Sequence, residues 1–400
     1  MGSSLPGINI KHHVTSRGRF DLVRSDVGGV IGFITEAKWP EKALAGDSVE
    51  FVLTSYRELD NHPQRDRLDP ASVVAAKSFF DNGGTRLHLF GLCISNESDI
   101  IDDATCLGVL EPLLSRLRIN EDISQLACPG AAYLRCREDK LGRVVSDADG
   151  IYDALLAHCM EMNHRFLIID APKDLHGKTL VSWVENMRNK KVESRSYCAV
   201  YYPWIETESG LQPPSGAMLG VFSRIASTRG PYGVIWPPAN QPIRKVRSMD
   251  MELDWQESQE LCAAAINTLV LEQGRGVRVY GARTLSRESS WKFINTRRAV
   301  SMISEQLRRD NMWAVFETNT PMIWKAIERD VRVRLDEFWE HGVLSGRTAG
   351  AEYSIACDAE TNDSDSRARG ALNVWVNLQP IGTTEQIRIE LKLSELGPSA

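Results

Sequence analysis

Apolar positions along this chain change period several times, and each change predicts a new element. Val30 to Ile34 is a nearly continuous apolar run and predicts a buried strand. Asp69-Pro70 then supplies an N-cap followed by proline at the first helical position, so a helix runs from there to Asp81, where Gly83-Gly84 stops it. Thr85 to Leu92 returns as a strand. Further on, Ile151, Leu155, Cys159 and Met162 fall at near-helical spacing, Arg165 to Asp170 is a short apolar strand, Thr179 to Asn189 a helix and Ser196 to Tyr202 another strand. Strand-helix-strand order with apolar strands implies an α/β fold whose sheet is largely parallel and covered on both faces.

The pattern changes after Leu285. Ser289 to Asp310 and Pro321 to His341 read as two long amphipathic helices, the second carrying Ile323, Ile327, Val331, Leu335 and Phe338 on one face. A short strand-like Trp313 to Phe316 separates them. Tyr353 to Cys357 predicts a strand, Asp358 to Gly370 a polar loop, and two strands close the chain. In the last, Ile387, Ile389, Leu391 and Leu393 alternate with Arg388, Glu390 and Lys392. Residues 1–25, by contrast, show no helical periodicity.

Composition narrows the function classes. The chain has 400 residues, 42% of them hydrophobic, enough for two or three domains with a real core. Its 47 basic and 53 acidic residues give a formal charge of −6 without long single-sign runs, so no nucleic-acid partner is expected. Apolar stretches such as Ile266 to Leu271 are far shorter than the roughly 20 residues that span a bilayer, so direct membrane insertion is not expected either. The N-terminus has no basic region followed by an apolar one, and a cytoplasmic site of synthesis is the expectation. The eight cysteines include no CxxC pair and read as reduced core residues; Cys128 and Cys136 with His158 come nearest to a metal-ligand set.

Candidate chemistry is sparse. Ser215 in PPSGAM could pass for a nucleophile, with Asp147, His158, His164 and Asp170 upstream, but nothing specifies an oriented base and an oxyanion donor pair. It reads better as the N-cap of a helix from Gly216 to Arg224. Gly274-Arg275-Gly276 precedes a strand, not a helix, and no GxxxxGK[ST] is present, so no nucleotide site is expected. No catalytic, cofactor or metal residue is assigned.

What the chain does carry is a set of motifs in fixed order: YYPW (Tyr201 to Trp204), PPSGAMLGVFSR (Pro213 to Arg224), RGPYG and WPPAN (Arg229 to Asn240), GRGVRVYGARTL (Gly274 to Leu285) and WKFINTRRAV (Trp291 to Val300). Together with FFDNGG (Phe79 to Gly84) and Pro6-Gly7-Ile8, they resemble the contractile tail sheath family of phage tails, tailocins and contractile injection systems. The resemblance implies a central subtilisin-like α/β domain without a catalytic triad, a C-terminal α+β sheath domain and extended arms at both ends. The corresponding division is 1–25 N-terminal arm, 26–98 and 99–285 α/β core, 286–384 C-terminal domain and 385–400 C-terminal arm.

The function so implied is structural. Subunits would polymerise as stacked hexameric rings around an inner tube, with baseplate and cap proteins as further partners, and contract to drive the tube through a target envelope. Assembly would be in the bacterial cytoplasm, as part of a virion or an injection particle. Strand exchange between subunits would use Ile8, Ile10, Ile387, Ile389, Leu391 and Leu393, because main-chain pairing survives while the linkers bend. By analogy, Lys325, Arg329 and Arg332, on one side of their helix, would face the tube, with Arg297, Arg298, Arg308 and Arg309 as a second choice. A non-catalytic subtilisin-like interaction module and, behind it, a hydrolase are the competing readings.

Overall fold

A computed structural model describes residues 22–35, 45–95, 103–190, 192–230, 232–345 and 353–383. Its centre is an eight-stranded sheet of β1 (Val27–Thr35), β2 (Ser48–Leu53), β3 (Arg86–Ile94), β4 (Gln125–Ala127), β5 (Phe166–Asp170), β6 (Cys198–Tyr202), β7 (Ile266–Glu272) and β8 (Gly276–Tyr280). The spatial order is β8-β7-β6-β5-β4-β1-β3-β2. The inner six strands run parallel, and β2 and β8 pair antiparallel at the two edges. The sequence predicts the parallel interior. It gives no sign of the antiparallel edges, which follow from chain reversals such as the Gly274–Gly276 turn joining β7 to β8.

Every inner strand is apolar on both sides. In β5, Phe166 and Ile168 enter one core while Leu167 and Ile169 enter the other; in β6, Ala199 and Tyr201 divide from Cys198, Val200 and Tyr202 in the same way. A strand with period-two partition and no polar face must be covered twice. Helices α1 (Pro70–Asp81) and α5 (Ser215–Thr228) cover one face. Helices α2 (Asp103–Ile119), α3 (Asp149–Met162) and α4 (Gly177–Asn189) cover the other, and α6 (Trp255–Ala263) leads into β7.

Local signals explain most of the boundaries. Asp69 caps α1, accepting the Ser72 N–H at 2.9 Å, with Pro70 first in the helix. The same carboxylate accepts the Phe33 N–H at 2.7 Å, tying the helix start to β1. On α5, Gly216 and Gly220 let the helix press onto α1: a Cβ at Gly216 would lie 2.5 Å from the Ala75 Cα, and one at Gly220 2.3 Å from the Phe79 carbonyl oxygen. Six of the cysteines are buried and all eight are free thiols.

The C-terminal portion packs around α7 (Ile294–Asp310) and α8 (Pro321–Glu340). Its core joins Ala299, Met302 and Ile303 to Ile327, Val331, Leu335 and Phe338, and takes in Val234 from the preceding portion. Three expectations are corrected here. Ser289–Trp291 is a single 3-10 turn, so α7 starts only at Ile294. Met312–Ala314 is likewise a 3-10 turn and not a strand. The polar loop contains a short helix, Ser364–Ala368, capped by Asp363, which accepts the Ser366 N–H at 2.8 Å. A two-stranded antiparallel sheet, Tyr353–Ala356 with Trp375–Leu378, completes this portion.

Candidate assembly interface

Helix α8 buries one side and leaves the other free. Leu335 and Phe338 are wholly buried, whereas the side chains of Lys325, Arg329 and Arg332 are 73%, 67% and 47% exposed. The cations are not bare. Lys325 lies 2.7 Å and Arg332 3.2 Å from Glu328, and Arg329 lies 3.0 Å from Asp330. The hydrogen bond from Lys325 holds the Glu328 carboxyl below its usual range. Exposed pairs of this kind, two of them at i, i+3 and i, i+4 and one between neighbours, hold weakly and can be exchanged for other carboxylates. Sequence spacing finds the stripe; the counter-ions Glu328 and Asp330 are legible only once the helical phase is fixed.

The second basic set is corrected for Arg297 and Arg298, while Arg308 and Arg309 keep partly exposed side chains. Arg297 and Arg298 are 6% and 7% exposed and present no surface. Arg297 is sandwiched between the rings of Tyr197 (4.4 Å) and Trp291 (4.1 Å), and Arg298 lies over Phe222 at 4.7 Å while donating to the Ser25 carbonyl. Guanidinium stacking on aromatic faces is a packing role. Arg308 and Arg309 both grip the buried Glu305, at 2.8 and 2.7 Å, and reach Glu121 beyond it.

The two-stranded sheet is thin. Trp375 is 62% exposed, and each strand has one edge without a partner among the described residues. The final stretch docks back onto the C-terminal portion itself: Ser345 N–H donates to the Gln379 carbonyl at 3.0 Å, Ile381 N–H to the Val343 carbonyl at 3.1 Å, and the Thr383 hydroxyl to Asn295 at 2.7 Å. The strand-exchange residues Ile8, Ile10, Ile387, Ile389, Leu391 and Leu393 lie outside the described residues. Sequence reasoning missed an exposed apolar tip between α7 and α8, formed by Met312, Val315, Phe316 and Met322; Phe316 is fully exposed and has a left-handed backbone (φ 70°). No periodic signal marks it.

The carboxyl ends of the parallel strands are where this type of sheet would hold chemistry. A cleft of about 890 Å³ lies there, lined among the described residues by Phe33, Asp69, Tyr133, Leu211 and Gln212. Ser215 is wholly buried and is the first residue of α5, not its cap; Pro214 holds the cap position. Capping comes from a distant residue: the Asp170 carboxylate accepts the Ser215 N–H at 2.7 Å. Burial pushes the Asp170 carboxyl up to about 7. No histidine is hydrogen-bonded to Ser215 among the described residues; His158 Nε2 faces the Arg165 guanidinium at 2.5 Å, and His164 Nδ1 faces the Met162 carbonyl. Asp69 and Asp170 are thus both engaged with backbone donors, and Ser215 lacks an oriented base.

The phage tail sheath protein central domain matches residues 145–285 and the phage tail sheath C-terminal domain matches 286–394, together well over half of the chain. A putative prophage major tail sheath protein of Pseudomonas aeruginosa (strain UCBPP-PA14) is 20% identical over 290 residues, which is 71% of this chain and 69% of that protein. The fold is shared with the helical sheath of the anti-feeding prophage in its contracted state (TM-score 0.71, 22% identity, 98% of this chain and all of that one). It is shared equally with the contracted PVC sheath complex of an extracellular contractile injection system (TM-score 0.71, 19% identity, 99% of each chain). The chain belongs to the contractile tail sheath family and is a structural subunit of a contractile sheath.

Proposed function

We propose that this subunit polymerises as stacked hexameric rings around an inner tube, and that its contraction drives the tube through a target envelope. Assembly takes place in the bacterial cytoplasm, and the particle is a phage tail or an injection device. Baseplate and cap proteins close the two ends; a chain of the same fold occurs in the contracted baseplate of the anti-feeding prophage (TM-score 0.74, 21% identity, covering 99% of this chain). The subunit has no catalytic role. The observation that carries the reading is the division of surfaces in the C-terminal portion. A thin sheet, each of whose strands has one edge unpaired among the described residues, is followed in the sequence after Thr383 by an alternating apolar segment, which suits strand addition between copies. The division into 1–25, 26–98, 99–285, 286–384 and 385–400 is retained on the same grounds.

On this reading, the exposed face of α8 meets the tube through Lys325, Arg329 and Arg332. Charged contacts suit a grip that must be released, because less is lost when they return to water. The test co-expresses the full chain, or a variant with all three residues changed to Glu, with the cognate tube protein. Filled tubes from the parent and hollow striated sheaths from the variant are expected. Filled tubes from both would remove this face from the tube contact.

A further inference from the structure

The chain enters its described fold at Leu22, and its first residues are held by more than packing. The Val23 N–H, itself buried, donates to the Gln306 Oε1 at 2.8 Å, and the Ser25 carbonyl accepts from the buried Arg298 at 2.8 Å. Gln306 is wholly buried on α7, and its amide passes the contact on, donating to Asp310 Oδ1 at 3.0 Å. Asp310 in turn accepts from Arg334 of α8, at 2.6 Å to Nε and 3.2 Å to the second terminal nitrogen. The same guanidinium donates to Glu337 at 2.8 Å, and the other Glu337 oxygen accepts the Tyr232 hydroxyl at 2.8 Å. Tyr232 stacks on His341 at 4.3 Å and belongs to the segment that places Val234 in the C-terminal core.

One polar chain therefore runs from Val23 through Gln306, Asp310, Arg334 and Glu337 to Tyr232. It links the root of the N-terminal segment, both long helices and the loop after α5. An apolar core of this size needs none of these groups: replacing a buried polar network by apolar side chains is often neutral for stability, whereas breaking one member leaves its neighbours unsatisfied. Such a network holds the groups it joins rigidly to one another. We propose that it is a mechanical relay, in which a pull on residues preceding Leu22 is transmitted through Gln306 to α7 and α8 and on to Tyr232. The proposal rests on the reading of the N-terminal segment as an arm that joins neighbouring subunits.

Hydrogen exchange of the full chain tests it at both ends. Gln306→Leu keeps the volume and removes both hydrogen bonds; it should speed exchange at the Val23 amide at least tenfold and also speed exchange across 232–235. Gln306→Glu keeps an acceptor for Val23 but sets a carboxylate against Asp310, so it should loosen 232–235 while leaving Val23 the more protected of the two sites. Tyr232→Phe removes one hydroxyl, spares the ring stacking and should raise Val23 exchange about threefold, which guards against a Gln306 variant that misfolds. Faster exchange at Val23 with 232–235 unchanged in Gln306→Leu, or no change at Val23 in Tyr232→Phe, would overturn the relay. Deleting residues 1–21 separates the two ideas: polymers that form normally without them would remove the arm reading, while the exchange results would still decide the relay.

Discussion

The sheet body and the C-terminal portion bury their apolar residues very differently. In the first, both faces of the sheet are packed, and the β8 edge is covered by the 240–243 stretch, where the Asn240 and Ile243 N–H groups donate to Val279 and Val277. In the second, one small core draws Val234 from its neighbour, a two-stranded sheet has edges without a partner among the described residues, and Met312, Phe316, Met322 and Trp375 are exposed. A covered edge cannot add a strand, and an open one invites it. Under the proposed function, stability is concentrated in the body and association in the C-terminal portion, so damage to each should read out differently.

The largest loss of stability is expected from Trp183→Ala. Its ring is wholly buried between α3 and α4, and its indole N–H donates to the buried Asp149 at 2.9 Å. The cavity, beside an Asp149 carboxylate that loses its Trp183 donor but keeps Lys190 at 3.5 Å, should cost about 3–5 kcal/mol in urea unfolding. Tube formation by the molecules that do fold should survive. Loss of tubes at full occupancy of the folded state would blur the division.

Asp170 sharpens it through pH. Its folded value of about 7 lies above the ordinary 3.8, so the folded chain holds a proton that the unfolded chain releases. Stability falls as pH rises through this window, from about 4 to about 7. Asp170→Asn should abolish that loss, worth on the order of 4 kcal/mol at 1.36 kcal/mol per unit. His158 works in the opposite sense. Burial pushes it down to about 3, so its contribution is lost as pH falls below its ordinary 6.5. Only the difference between variant and parent across pH 4.5 to about 8, measured by urea unfolding, isolates Asp170; parallel profiles would refute the assignment.

Gly216→Ala should cost about 1–3 kcal/mol, since its methyl would meet backbone atoms of Ala75 on α1 and force the helices apart. A neutral result in thermal unfolding would mean that α1 and α5 can separate freely. The smallest stability change belongs to the triple charge reversal on α8. Its members sit in exposed pairs, and setting Glu against Glu328 and Asp330 should lower the melting temperature only slightly even where tube capture is lost.

Much of the body was legible because its signals are local. Asp69-Pro70 marks the start of α1 by cap chemistry alone, and Arg165 to Asp170 could be read as a strand because a short apolar run between helices has few other uses. Misreadings arose where a distant residue does the local work. Ser215 looks like a cap until Asp170, 45 residues earlier, takes its N–H. Arg297 and Arg298 look like surface cations until Tyr197, Trp291 and Phe222 close over them. Helix α2 went unread because Pro112 lies inside it and the apolar stripe is diffuse. Of the candidate interface, the α8 face was visible as a period; the Phe316 tip was not, since an exposed loop leaves no periodic trace.

The division between a stable body and an associating C-terminal portion is tested most directly by comparing the full chain with one truncated after Gly382. Negative-stain electron microscopy at high concentration and thermal unfolding would be run on both. Striated hollow tubes from the full chain, and folded monomers of unchanged melting temperature from the truncation, are expected. Tubes from the truncated chain, or monomers from both even with the tube protein co-expressed, would contradict it.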